Sequence, residues 1–148
     1  MGELDIAGVI LTPLSIIPTA LGEVLHALKD DEPAFNGFGE AYFSCIRGSA
    51  VKGWKRHRKM TLNLVVPVGA IKFVFFDDRS NSPTFNALAQ VTLSRANYQR
   101  LTVPPKIWMA WQGLETENML LNIANIKHDP QEAETLALDN ADIPYTAW

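Results

Sequence analysis

From residue 39 onward the apolar positions fall in short runs rather than helical stripes. "AYFSCI", "TLNLVVPV", "AIKFVFFDD", "LAQVTLS", "QRLTVP", "IWMAWQGL" and "NMLLNIAN" are rich in Val, Ile, Phe, Trp and Thr. Such residues suit a pleated, half-buried surface, and the runs recur near the spacing of about 8–12 residues typical of sandwiches and barrels. Turn residues punctuate them. "PVGA" joins two strands, "DDRSNSPTFN" joins two more, and "DDEPAFNGFGE" reads as a loop. Upstream, "DIAGVILTPLSII" is broken by Gly8 and Pro13 into strand-like pieces, while "GEVLHALK" is too short to separate strand from helical turn. Pro67, Pro104 and Pro105 fall at strand ends or edges, where a missing amide is tolerated. Only "PQEAETLALD" offers room for a short helix. The pattern predicts an all-β jelly roll or barrel over residues 1–148, one domain without an internal linker and with at most one or two short helices.

Composition narrows the class. A chain of 148 residues with 47% hydrophobic and 20% charged content is long and apolar enough to bury a core. No run approaches the roughly 20 apolar residues that span a bilayer, and the acidic start "MGELDIAG" lacks the basic region of a signal peptide. The single cysteine, Cys45, allows no internal disulfide and suits a reducing compartment. A net charge of −3 argues against a broad nucleic-acid surface. The expectation is a cytoplasmic protein with neither membrane nor nucleic acid as partner.

Against that acidic background, "KGWKRHRK" (52–59) gathers five of the thirteen Lys and Arg residues together with His57. Taken as an extended chain, Lys55, His57 and Lys59 fall on one face and Arg56 and Arg58 on the other, and Lys52 is expected to join the first face. If the first face lines a barrel mouth, it makes a cationic wall for a phosphate or diphosphate. If it faces water, it is an edge strand whose cations discourage pairing. Trp54 adds an apolar plate, and Arg47 either extends the wall or sits on a surface turn. Tyr42 is a phenol acid or a packing group. Asn122, inside an apolar strand, must find a partner or face a cavity. A metal site wants clustered His or carboxylate ligands, whereas His57 has Lys55 two residues away and His26 and His128 lie far off, so no metal is expected.

Several ordered motifs then point to a family. "AVKGWKRH" is similar to a segment with an R-G-L-H-x-Q run, and "VGAIKFVFFDDRSNSPTF" to G-E-V-x-D-V-x-V-D-L-R-x-x-S-P-T-F. "LSRANYQRLTVPPKIWMAWQGL" is similar to L-S-x-x-N-x-x-Q-L-x-I-P-x-G-F-A-H-G-F, and "NIKHDPQEAE" with "DNADIPYTAW" to a closing segment. From about Gly39 to Trp148 the chain resembles sugar-nucleotide 3,5-epimerases of the dTDP-4-dehydrorhamnose type and the related dTDP-sugar 3,4-ketoisomerases. These are cupin jelly rolls, or double-stranded β-helices. Their epimerase dyad His falls on Lys55, its Asp on about Asn140, the acid Tyr on about Asn122 and the A-H-G-F His on Met109. The ketoisomerase R-G-x-H-A-H pattern puts its second His on His57, with its upstream Tyr near Tyr42 and Arg on Arg47.

The resemblance implies a catalytic set of His57, Lys55 and Tyr42, and a substrate-binding set of Arg47, Lys52, Glu40, Asn63, Asn122 and Trp54. It implies an isomerase or epimerase of a nucleotide-linked 4-keto-6-deoxy sugar in surface-polysaccharide (lipopolysaccharide, O-antigen) synthesis. Proton removal beside the ketone would need no metal or redox cofactor. A nucleotide-diphosphate sugar is the implied partner, and a homodimer the implied assembly, with N-terminal strands of about residues 1–30 in contact. The alternative is a non-catalytic sugar-nucleotide or carbohydrate-binding cupin that has lost the His–Asp/Tyr set. A metal-dependent cupin oxygenase is disfavoured, because no H-x-H pair is present.

Overall fold

Inward and outward positions alternate along the long strands, and that alternation builds two facing layers. A computed structural model describes residues 2–148. Its strands are β1 (Gly2–Glu3), β2 (Ile10–Pro13), β3 (Ile16–Thr19), β4 (Gly22–Leu25), β5 (Glu40–Arg47), β6 (Val51–His57) and β7 (Leu62–Val68). They continue with β8 (Ala70–Phe76), β9 (Leu88–Ser94), β10 (Gln99–Val103), β11 (Trp108–Gly113), β12 (Glu117–Ala124) and β13 (Ala133–Thr135). One sheet runs β1-β2-β10-β7-β12-β5, the other β13-β6-β11-β8-β9, and β3-β4 form a separate hairpin. All pairings are antiparallel. The molecule is an all-β, cupin-like jelly roll.

The core lies between the two sheets. Leu62, Leu64 and Val66 of β7, Leu101 and Val103 of β10 and Leu120 of β12 meet Ile71, Phe73 and Phe75 of β8, Leu93 of β9 and Met109 of β11. Each large side chain so buried stabilises by about 1.5–3 kcal/mol. The "PVGA" turn carries the chain from one sheet to the other. Gly69 sits there at φ +75°, where an added Cβ would come within 2.3 Å of the Glu117 carbonyl oxygen.

Both outer faces are partly roofed. Over the five-stranded sheet, the C-terminal segment lays Leu136, Leu138, Ile143, Tyr145 and Trp148 on Trp54, Val74, Phe76 and Trp108. Over the six-stranded sheet, residues 26–36 are held by buried polar groups. Arg100 donates to the Ala27 carbonyl at 2.8 Å and pairs with Glu32 at 2.7 Å. Asn63 donates to the Ala34 carbonyl at 3.1 Å and accepts from Thr102 at 2.6 Å.

The strands read from the hydrophobic runs are all present. "PQEAETLALD" departs from expectation: instead of a helix, its Ala133–Thr135 adds β13 to the free edge of β6, in register Ala133↔His57 and Glu134↔Arg56. Ion pairs from Arg56 and Arg58 to Glu134 hold it there. The same strand overturns the edge-strand reading of "KGWKRHRK", because β6 now lies between β13 and β11. "GEVLHALK" resolves as a strand at Gly22–Leu25, paired with β3.

Candidate active site

The inner faces enclose a cavity of about 230 Å³ with a polar wall on either side of an apolar floor. From β6 come Lys52, Lys55 and His57; from β5 and β12 of the opposite sheet come Tyr42, Ser44 and Asn122. Leu62, Leu64, Met109 and Leu120 form part of the floor. Among the described residues no carboxylate lines it, so the cavity favours an anionic guest or a developing negative charge.

A β-bulge sets the β6 wall. Lys55 pairs with Met109 and Lys52 with Trp111, so three steps along β6 match two along β11. Strict alternation would send residues three apart to opposite faces; the extra residue returns Lys52 to the face of Lys55 and His57. Gly53 makes this feasible. Its φ is +132°, and a Cβ there would lie 2.6 Å from that of Ala110.

His57 is the electrostatic centre of the wall. Burial, the Lys55 ammonium and His128 push its pKa down to about 4, against a weaker upward pull from Glu132. It is neutral at pH 7, and its Nδ1 has no hydrogen-bond partner. Lys52 donates through Nζ to the Cys45 carbonyl at 3.2 Å. On the opposite wall, Asn122 donates through Nδ2 to the Tyr42 oxygen at 3.0 Å. Burial raises the Tyr42 pKa, and the Glu40 carboxylate raises it further. Asn122 Oδ1 and Trp111 Nε1 also lack partners. Unpaired buried polar atoms cost about 1–3 kcal/mol each, which a bound polar ligand would relieve.

Four residues of the expected substrate-binding set stand elsewhere. Trp54 is fully buried on the outer face of β6, with its ring centroid 6.4 Å from Tyr145 and 5.8 Å from Trp148. The bulge that turns Lys52 inward leaves Trp54 outward. Arg47 shares the outward side of β5 with Cys45 and lines a separate shallow groove with Val68 and Glu117. Asn63 points outward from β7 and is spent on Ala34 and Thr102. Glu40 lies outside the cavity lining and acts on it only through its charge near Tyr42. Lys59 also leaves the wall for the turn beyond β6, where Glu132 accepts its backbone N–H at 2.8 Å. Asn140 is tied into a turn by Ala137 and Asp142, away from the cavity.

Among the lining residues that carry a polar atom, Ser44 and Trp111 escaped the sequence reading. Ser44 could have been found from Tyr42 by alternation, and Trp111 from its place at the last aromatic of the A-H-G-F run.

Residues 4–147 match the family model described as dTDP-4-dehydrorhamnose 3,5-epimerase. The chain belongs to this family. A probable low-salt glycan biosynthesis epimerase of Haloferax volcanii is 28% identical over 107 residues, which is 71% of this chain and 65% of that protein. The chain thus matches just under two thirds of the length of that curated relative. Among solved structures, a dTDP sugar isomerase from Desulfovibrio desulfuricans G20 is 41% identical, with a TM-score of 0.96 over 99% of this chain and 94% of the other. A 3'-monoepimerase from Streptomyces bikiniensis, solved with dTDP-quinovose, shares the fold at a TM-score of 0.89 and 18% identity, covering 100% of this chain and 78% of that one. Lys55, Asn122 and Met109, the positions the resemblance matches to the family's His, Tyr and His, all line the cavity.

Proposed function

We propose that the protein is an isomerase or epimerase of a nucleotide-linked 4-keto-6-deoxy sugar, working by proton removal beside the ketone. The observation that carries this reading is the carboxylate-free cavity that holds a neutral, unpartnered His57 beside Lys55, with the Tyr42 phenol on the facing sheet. His57 takes the proton as general base. The electron pair left on carbon forms the enolate, whose oxygen is stabilised by the Lys55 and Lys52 cations and by the Tyr42 O–H. The ketone itself acidifies the carbon, so this route uses no metal or redox cofactor. Lys52 keeps the charge of the family's Arg but not its planar fork, and suits the diphosphate as a point charge. The 41%-identical sugar isomerase supports the substrate class.

The reaction belongs to surface-polysaccharide assembly in the cytoplasm, carried out by one cupin domain that pairs as a homodimer. Exposed Ile17, Leu21 and Val24 on the β3–β4 hairpin and exposed Phe43 on β5 support pairing through the N-terminal strands. Light scattering tests the dimer, and a monomer at micromolar concentration would refute it.

A second reading, a binding cupin without catalysis, draws on Lys55 and Asn122 at the family's His and Tyr positions. Incubation in D₂O with nucleotide-linked 4-keto-6-deoxy sugars separates the two. Solvent deuterium entering the sugar beside the ketone supports the enzyme; binding with no exchange supports the rival.

A further inference from the structure

The cavity wall opposite His57 carries a hydrogen-bonding pair whose pattern defines more of the substrate than its class. Tyr42 and Asn122 stand directly across from each other in the β5–β12 register, and both line the cavity. The Tyr42 oxygen accepts from Asn122 Nδ2 at 3.0 Å. A phenol has one proton to give. Accepting from Asn122 leaves that proton for another partner, and no protein group among the described residues receives it. Asn122 is only 8% exposed, and its Oδ1 is an acceptor without a donor. A free donor and a free acceptor therefore sit side by side, joined through one carboxamide.

The complement of such a pair is an acceptor next to a donor on adjacent atoms: a carbonyl beside a carbon that bears a hydroxyl. We infer that Tyr42 and Asn122 together recognise an α-hydroxyketone, Tyr42 donating to the ketone oxygen and Asn122 Oδ1 accepting from the hydroxyl, and that proton removal is thereby confined to the hydroxyl-bearing carbon. This rests on the enolising reading above. In a 4-keto-6-deoxyhexose two carbons flank the ketone. C3 carries a hydroxyl; C5 carries the ring oxygen and the methyl group. The pair selects C3.

The step balances without an outside reagent. The C3 proton goes to the base on β6, and its electron pair forms the C3=C4 bond. The carbonyl π pair moves to O4, which takes the Tyr42 proton and gives an enediol. A proton from solvent delivered to the other face of C3, with the O4 proton returning to Tyr42 and the β6 base releasing its proton to solvent, yields the 3-epimer. Proton return to C4, with loss of the O3 proton, yields the 3-ketone. Either route restores the phenol and the base. Asn122 is a specificity-determining residue here, because it holds the hydroxyl rather than moving a proton.

The test follows both flanking carbons by NMR in D₂O, using a nucleoside-diphosphate 4-keto-6-deoxyhexose and its 3-deoxy analogue. Deuterium is expected at C3 of the 3-epimer or at C4 of the 3-ketone, and not at C5. The 3-deoxy analogue should lose about 10⁴–10⁵-fold in kcat/KM, as expected when a site built to hydrogen-bond a hydroxyl meets its absence. Asn122→Leu should abolish that preference while affinity for the nucleoside diphosphate alone stays unchanged. Asn122→Ser, smaller and still polar, replaces it if the leucine variant melts early. Deuterium at C5, or an undiminished hydroxyl preference in the folded variants, overturns the inference and leaves the enolising reading standing. No deuterium at any carbon despite nucleotide binding removes both.

Discussion

The two faces of β6 carry the same kinds of residue to opposite ends. On the outer face, Arg56 forks onto Asp78 at 2.7 and 2.8 Å, pairs with Glu134 and lies 4.4 Å above the Trp108 ring. Trp54 beside it is sealed under the C-terminal aromatics. Every charge there has a carboxylate, and the ion pairs staple β13 and the tail to the sheet. On the inner face, Lys52, Lys55 and His57 meet no carboxylate within the cavity lining, and His57 keeps an orphaned nitrogen. Compensated cations build structure, whereas uncompensated ones are held ready for a guest. Density of cation in a sequence does not separate these roles; the face does.

That contrast is broken most sharply at the inner face. His57→Asn should slow deuterium exchange by about 10²–10⁴-fold, the usual contribution of a positioned general base, while thermal stability at neutral pH is retained. Full turnover in that variant would remove His57 as the base.

The next effect tests structure without chemistry. Asp77 is fully buried and takes hydrogen bonds from Arg79 at 2.8 and 2.9 Å, from Ser82 at 2.6 Å and from Thr84 at 2.7 Å. Burial acts to raise its pKa, but the hydrogen bonds from Arg79, Ser82 and Thr84 outweigh it and hold the carboxyl well below the usual range. Asp77→Asn should cost about 3 kcal/mol by chemical denaturation, as for a broken buried ion pair, with exchange per folded molecule preserved. Arg56→Met should follow with about 1–2 kcal/mol, because its methyl-terminated stem still covers Trp108 while charge-assisted bonds are lost.

The acid side of the stability curve separates the same two groups. Below about pH 6.5 the unfolded chain binds a proton at His57 that the folded chain refuses until about pH 4. Stability therefore falls as pH drops through that window, and His57→Asn should flatten the decline. Asp77, depressed instead of orphaned, keeps its contribution until pH falls below its unfolded pKa of about 3.9 and loses it from there downward. A decline between pH 6.5 and 4 that survives in the His57 variant would assign it to other groups. Smallest of all, Lys59→Gln should change neither exchange nor melting, since the Lys59 side chain belongs to neither face.

Particular residues show how much of this was legible beforehand. The strands from β5 to β12 followed from apolar runs bounded by Gly, Pro, Asn and Asp, since that pattern is local. Lys55, His57, Tyr42 and Asn122 were named from motif position and one polar amide in an apolar strand. Arg47, Asn63 and Trp54 were misplaced because each assignment depended on which side of a strand faces the cavity. A single bulge or a one-residue offset reverses that side.

The amino-acid sequence by itself determined the all-β architecture and the family, because turn chemistry and strand propensity act over a few residues and ordered motifs survive replacement of individual side chains. The tertiary structure alone decided three things: that β13 covers the edge of β6, that the bulge at Gly53 gathers Lys52 with Lys55 and His57, and that Tyr42 meets Asn122 across two strands. Each depends on pairing between residues far apart in the chain, and register is fixed only when whole faces find their burial together.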